Sequence, residues 1–173
     1  MDIRFVAPNL RSLDDAAAEL CACAIWNDER PMRGLAGLLD WRLSGRLSSL
    51  QQSGFLHGDR GEVLLVPGKP RLPFDKVLVL GIGARTSFGE DVYRQSIERL
   101  ARTLVGVRIR RAFVELPGRA ADMIGPERAV SLMLECLGAS TDHDAWWLVE
   151  SVAAQRRIEQ RMVEEPRRTY GRR

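Results

Sequence analysis

Lysine is almost missing from this chain: Lys69 and Lys76 are the only two among 26 basic residues. Arginine therefore carries nearly all the positive charge, and the formal balance is +3. Arginine favours bidentate contacts with phosphate and carboxylate. Acidic residues are nevertheless interspersed through most of the chain, so the arginine bias reads first as compositional and second as anion binding. Histidine is as scarce, with His57 and His143 in different segments, and cysteine occurs three times, at Cys21, Cys23 and Cys136. No Cys/His set has the spacing of metal ligands. Cys21 and Cys23, two apart in an apolar run, fall on one face of a strand, where disulfide geometry is rarely met. They are expected to be small buried hydrophobes in a reducing compartment. No run approaches the roughly eighteen apolar residues that cross a bilayer. The start M-D-I-R-F-V lacks a basic region followed by an apolar stretch, so no membrane partner and a cytoplasmic location are expected.

What is present suits one folded domain. A length of 173 residues with 45% hydrophobic and 28% charged residues supports a real core. The spacing predicts strands over 3–6, 20–26, 63–66, 77–80 and 112–116. Residues 145–150 read as a last strand or as the start of a long helix. Helical periodicity starts in an alanine-rich segment at Ser12, with a capping-box-like start. It recurs from Gly34 through Leu35, Leu38, Leu39, Leu43, Leu47 and Leu50 to a C-cap at Gly54. A further capping box at Ser87 to Glu90 opens a helix whose buried face is Val92, Tyr93, Ile97, Leu100, Ala101 and Leu104. Pro126 and Gly138 bracket another helix, and residues 152–163 are helical by composition. The alternation argues for a three-layer α/β domain around a mostly buried mixed sheet. A domain over residues 1–165 is expected, with 166–173 as a basic, disordered tail.

The segment from Gly54 to Leu104 resembles the amino-terminal domain of the leucine aminopeptidase (cytosol aminopeptidase) family. Gly61, Glu62, Leu64, Leu65, Val77, Leu78, Val79, Gly81 and Gly83 fall on its G-E-x-L-L-x and V-L-L-V-G-L-G-like positions. Leu39, Asp40, Leu43, Gly45 and Leu47 reproduce much of its L-x-x-L-D-x-x-L-x-G-x-L-like helix. Met162, Val163 and Pro166 match its boundary signature, with Glu164 and Arg168 in place of two asparagines. The resemblance implies a macro-domain-like fold and places the start of the family's catalytic half near Pro166. That half holds two metals through segments like G-K-G-x-x-F-D-x-G-G and N-T-D-A-E-G-R, and neither occurs here. The expectation is therefore a non-catalytic module for protein interaction, assembly or regulation, without a cofactor. Its implied partners are copies of itself or an aminopeptidase catalytic subunit. Trp146 and Trp147 are the candidate interface anchors, since two adjacent tryptophans cannot share one face of a strand.

Two alternatives stand beside this reading. Gly81, Gly83, Arg85, Thr86 and Ser87 form a strand-to-helix turn able to hold the phosphate of ADP-ribose or another nucleotide. The full G-x-G-x-x-G fingerprint is not met, because position 86 is threonine. Arg108, Arg110 and Arg111, with Arg167, Arg168, Arg172 and Arg173, are candidate DNA phosphate contacts. No serine lies in a G-x-S-x-G elbow, which sets acyl transfer aside. Asp142-His143-Asp144 reads as an exposed cap before the next element rather than a metal site.

Overall fold

A computed structural model describes residues 1–15, 18–138 and 142–170, with residues 164–170 described by their backbone alone. The chain runs β1 (Asp2–Val6), α1 (Leu10–Asp14), β2 (Leu20–Ile25), α2 (Gly34–Arg42), α3 (Arg46–Gln52), β3 (Val63–Pro67), β4 (Lys76–Gly81), α4 (Glu90–Gly106), β5 (Arg111–Val114), α5 (Pro126–Leu137), β6 (Ala145–Val149) and α6 (Val152–Tyr170). The strands form one sheet in the order β1-β6-β5-β2-β4-β3. All pairings are parallel except β3 with β4. This is the three-layer α/β fold with a mixed, largely buried sheet that the alternation implied.

The period-2 alternation of each strand sorts its side chains between two cores. Leu20, Ala22, Leu78, Leu80, Ala112, Val114, Trp146 and Leu148 face α4, α5 and α6. Cys21, Cys23, Ile25, Val77, Val79, Phe113 and Val149 face α1, α2 and α3. Both faces are covered, which is why β2 and β4 read as near-continuous apolar runs. Cys21 and Cys23 are free, buried and on one face, as their spacing implied.

Several local expectations are corrected. The segment from Gly34 to Gly54 is two helices, broken where Ser44 and Gly45 take positive φ of 57° and 76°. Asp40 enforces the break: its Oδ1 accepts from the N–H groups of Leu47 and Ser48 at 2.8 and 3.0 Å, capping α3 from α2. Asn9, not Ser12, caps α1, its Oδ1 accepting from the Ser12 N–H at 2.8 Å. Ala16 and Ala17 lie outside the described residues. Ser87 does not cap α4, because its hydroxyl donates to the Ala84 carbonyl within a short 3-10 turn and the helix starts after Gly89. Residues 145–149 are a strand. The helical backbone of α6 runs to Tyr170, and residues 171–173 lie outside the described residues.

Candidate functional site

In an open α/β sheet, the crevice beyond the carboxyl ends of the strands is deepest where neighbouring connections leave toward opposite faces. Here β2 leads to α2 on one face, while its neighbours β4 and β5 lead to α4 and α5 on the other. The loops after β2, β4 and β5 therefore meet above the middle of the sheet.

Their side chains interlock. Trp26 and Phe88 pack edge to face with ring centroids 5.1 Å apart. Asp28 accepts from the Arg85 N–H at 3.1 Å, and the Arg85 guanidinium pairs with Glu29 while lying over the Trp26 ring at 5.9 Å. From the β5 side, Gly118 closes on Phe88 so tightly that a Cβ there would stand 2.5 Å from Cζ. Gly118 also has φ of +78°, so two independent constraints demand glycine. Glu115 is buried, and its Oε1 accepts from the Leu35 N–H at 3.0 Å in the first turn of α2. Burial pushes the Glu115 carboxyl up to about 7. Arg119 makes a bidentate pair with the buried Glu150, at 2.7 and 3.0 Å, and donates to the Ile124 carbonyl at 2.6 Å. The crevice thus combines Asp28, Glu29, Glu115 and Glu150 with Arg85 and Arg119, beside the half-buried Phe88.

The sequence-selected glycines serve this architecture in a different way from that expected. The N–H groups of Gly81, Ile82 and Gly83 donate to Glu62, Ile25 and Gly58 carbonyls at 2.8, 3.0 and 2.9 Å, so that turn does not offer them to an anion. A Cβ at Gly81 would meet the Asp59 carbonyl oxygen at 2.2 Å, so glycine here permits the 58–62 loop to close over β4. Arg85 does lie in the crevice, and Thr86 and Ser87 are exposed beside it. Two arginines proposed for DNA are already engaged, Arg110 with Asp144 at 2.7 Å and Arg111 with Glu19 at 3.2 Å, while Arg108 is exposed. Nothing is described of the side chains of Arg167 and Arg168, and Arg172 and Arg173 lie outside the described residues.

Trp146 is fully buried between the sheet and α4–α6, so it cannot anchor a partner. Trp147 points to the other face, half-buried, with the Arg4 guanidinium 5.2 Å from its ring centroid. His143 is buried against Trp146 with ring centroids 5.3 Å apart, rather than exposed, and burial lowers its pKa. Glu29, Glu115, Arg119 and Glu150 were not singled out from sequence. The available signal was a charged residue, Glu115, inside the apolar run Ala112 to Leu116.

This layout defines a macrodomain-like α/β fold in which the loops after β2, β4 and β5 meet at a topological switch point. Residues 22–142 match the family profile described as "Cytosol aminopeptidase family, N-terminal domain". The chain belongs to that family. A probable cytosol aminopeptidase from Halorhodospira halophila is 32% identical over 126 residues, which make up 70% of this chain and 25% of that protein. The chain thus matches about a quarter of its relative's length. Among solved structures, a Trypanosoma brucei macrodomain in complex with ADP-ribose superposes with a TM-score of 0.66 at 15% identity, covering 92% of this chain and 68% of that one. A tomato leucine aminopeptidase variant gives 0.63 at 16% identity, covering 92% and 35%. Among the described residues no helix is long and apolar enough to cross a membrane.

Proposed function

We propose that this domain is a non-catalytic binding module whose crevice takes a nucleotide of the ADP-ribose class. The observation that carries the reading is Arg85. Its guanidinium sits where the loops after β2 and β4 meet, held by Glu29 and beside the exposed Thr86 and Ser87. A guanidinium engages phosphate oxygens bidentately, and exchanging the Glu29 carboxylate for phosphate keeps it paired. The surrounding carboxylates favour a ligand with its own donors. The exocyclic amine of a purine and the hydroxyls of ribose suit Asp28 and Glu29, and Phe88 offers a ring face for stacking. The likeness in fold to a macrodomain solved with ADP-ribose supports the same ligand class. For DNA, by contrast, two of the three central arginines would first have to leave Asp144 and Glu19. An assembly role has lost Trp146 as an anchor and now rests on Trp147 and the family relationship.

The test is calorimetric titration with ADP-ribose of the wild type and of Arg85→Gln, a change that keeps a donor for Glu29. Saturable heat, weakened roughly tenfold to a hundredfold in the variant with an unchanged thermal midpoint, is the expected result. Absence of heat at high protein concentration would overturn the proposal.

A further inference from the structure

A second feature lies beside the crevice and is not used by it. A cavity of about 370 Å³ opens between α4 and the loop before β3, with Leu80 in its floor. Gln95, Glu98, Arg99 and Arg102 line it from α4, on one stripe because residues three, four and seven apart share a helix face. Arg60 closes it from the loop. Arg60, Arg99 and Arg102 are all exposed. None of the three has a carboxylate partner within ion-pairing distance among the described residues, in contrast to Arg94 on the same helix, which pairs with Glu135, and to Arg119, Arg128 and Arg157.

The contrast with a cavity of the same size between α5 and α6 is informative. Its Arg128 and Arg157 are neutralised by Glu90 and Glu127 at 2.5 and 2.7 Å. Three guanidinium groups around the α4 cavity, against one carboxylate, leave it with a net positive charge. Like charges gathered around one cavity raise each other's energy, and a multivalent anion relieves that repulsion. Each planar guanidinium presents paired donors matched to two phosphate oxygens. Gln95 adds a neutral donor, and the floor at Leu80 excludes water from one side.

We infer that this cavity is a binding site for a phosphoanhydride chain, distinct from the crevice. A chain of linked phosphates, with charges spaced along its length, can contact guanidinium groups contributed by a helix and by a facing loop. Leu80 in the cavity floor pairs with Val63 of β3, the strand at the edge of the sheet. The same chemistry belongs to free inorganic polyphosphate and to the triphosphate of a nucleotide.

Inorganic tripolyphosphate and ATP are titrated separately into the wild type, the double variant Arg99→Gln/Arg102→Gln, and Arg85→Gln. Both α4 positions are exposed and glutamine is a good helix former, so the double variant should keep the wild-type melting curve. The expected result is saturable tripolyphosphate binding, weakened at least roughly tenfold in the double variant and unchanged in Arg85→Gln. ATP binding as tightly as tripolyphosphate assigns the site to nucleotide triphosphates, and weaker ATP binding assigns it to inorganic chains. No saturable binding, or binding that ignores the double variant, overturns the inference. So does loss of binding in Arg85→Gln, which would place the phosphates in the crevice. A DNA duplex that binds through Arg99 and Arg102 and is not displaced by tripolyphosphate would also overturn it, in favour of nucleic acid.

Discussion

The Glu115 carboxylate accepts a hydrogen bond from the Leu35 N–H at 3.0 Å, joining the end of β5 to the first turn of α2 across 80 residues of chain. A helix N-terminus carries partial positive charge and unpaired N–H groups, so a carboxylate there acts as an internal anion. Burial opposes that role by disfavouring the charged form. The balance lifts the carboxyl from 4.5 to about 7, which makes this contact between two crevice walls sensitive to pH near neutrality.

Replacing Glu115 with glutamine separates the charge from the contact. The folded-state value lies above the unfolded one, so folding favours the protonated form. That contribution is complete below about pH 4.5 and is lost as the pH rises through 7. The displacement corresponds to about 3 kcal/mol. Glu115→Gln keeps an acceptor for Leu35 without a charge to bury. Thermal midpoints of the two proteins should therefore be close near pH 4 and diverge as pH rises to 8, with the variant the more stable. A difference that does not change with pH would show that Glu115 is solvated in the folded protein.

Gly81 tests whether the glycine-bearing turn is a packing device. A Cβ there would stand 2.2 Å from a backbone oxygen of Asp59, and backbone cannot move aside cheaply. Gly81→Ala should cost about 1–3 kcal/mol or more in urea unfolding. Gly106, at the end of α4, has nothing within 4 Å of a built Cβ, so Gly106→Ala should be neutral or stabilise by up to about 1 kcal/mol. Equal losses in both variants would remove the steric explanation.

Much of this fold is legible in local pattern. Val77 to Leu80 reads as a strand because both its faces are buried, and Pro126 and Gly138 mark the ends of α5 through backbone chemistry alone. Interruptions governed by distant or side-chain partners are harder to see. The break between α2 and α3 depends on Asp40 turning back to cap Leu47 and Ser48, while the leucine period runs on through it. Likewise the adjacent pair Trp146 and Trp147 announces that one ring points each way, but the assignment of the buried one needs the strand register against β1 and β5. The crevice was the least visible part. Glu29, Glu115, Arg119 and Glu150 lie in the segments after β2, β5 and β6, carry no shared motif, and come beside Arg85 only once the strand order is known.

Arg119 and Glu150 bring that separation to an experimental question. Their side chains are 8% and 4% exposed and joined at 2.7 Å, holding the loop after β5 against the end of β6. Removing one partner leaves a buried, uncompensated charge, so Arg119→Ala should cost about 3–5 kcal/mol. Replacing both with apolar residues, as in Arg119→Met/Glu150→Leu, removes the charge and its desolvation together and should recover most of that loss. An exposed bridge would behave otherwise, with Arg119→Ala costing less than about 1 kcal/mol and the double variant no better. Chemical denaturation of the three variants against wild type distinguishes the two cases. The recovered double variant also reports on the loop's contribution to binding, because it is folded and has lost the bonds of Arg119 to Glu150, Asp122 and the Ile124 carbonyl. Weaker ADP-ribose titration in that protein would mean that the pair's value lies in how it positions the crevice wall, whereas unchanged titration would confine its role to stability.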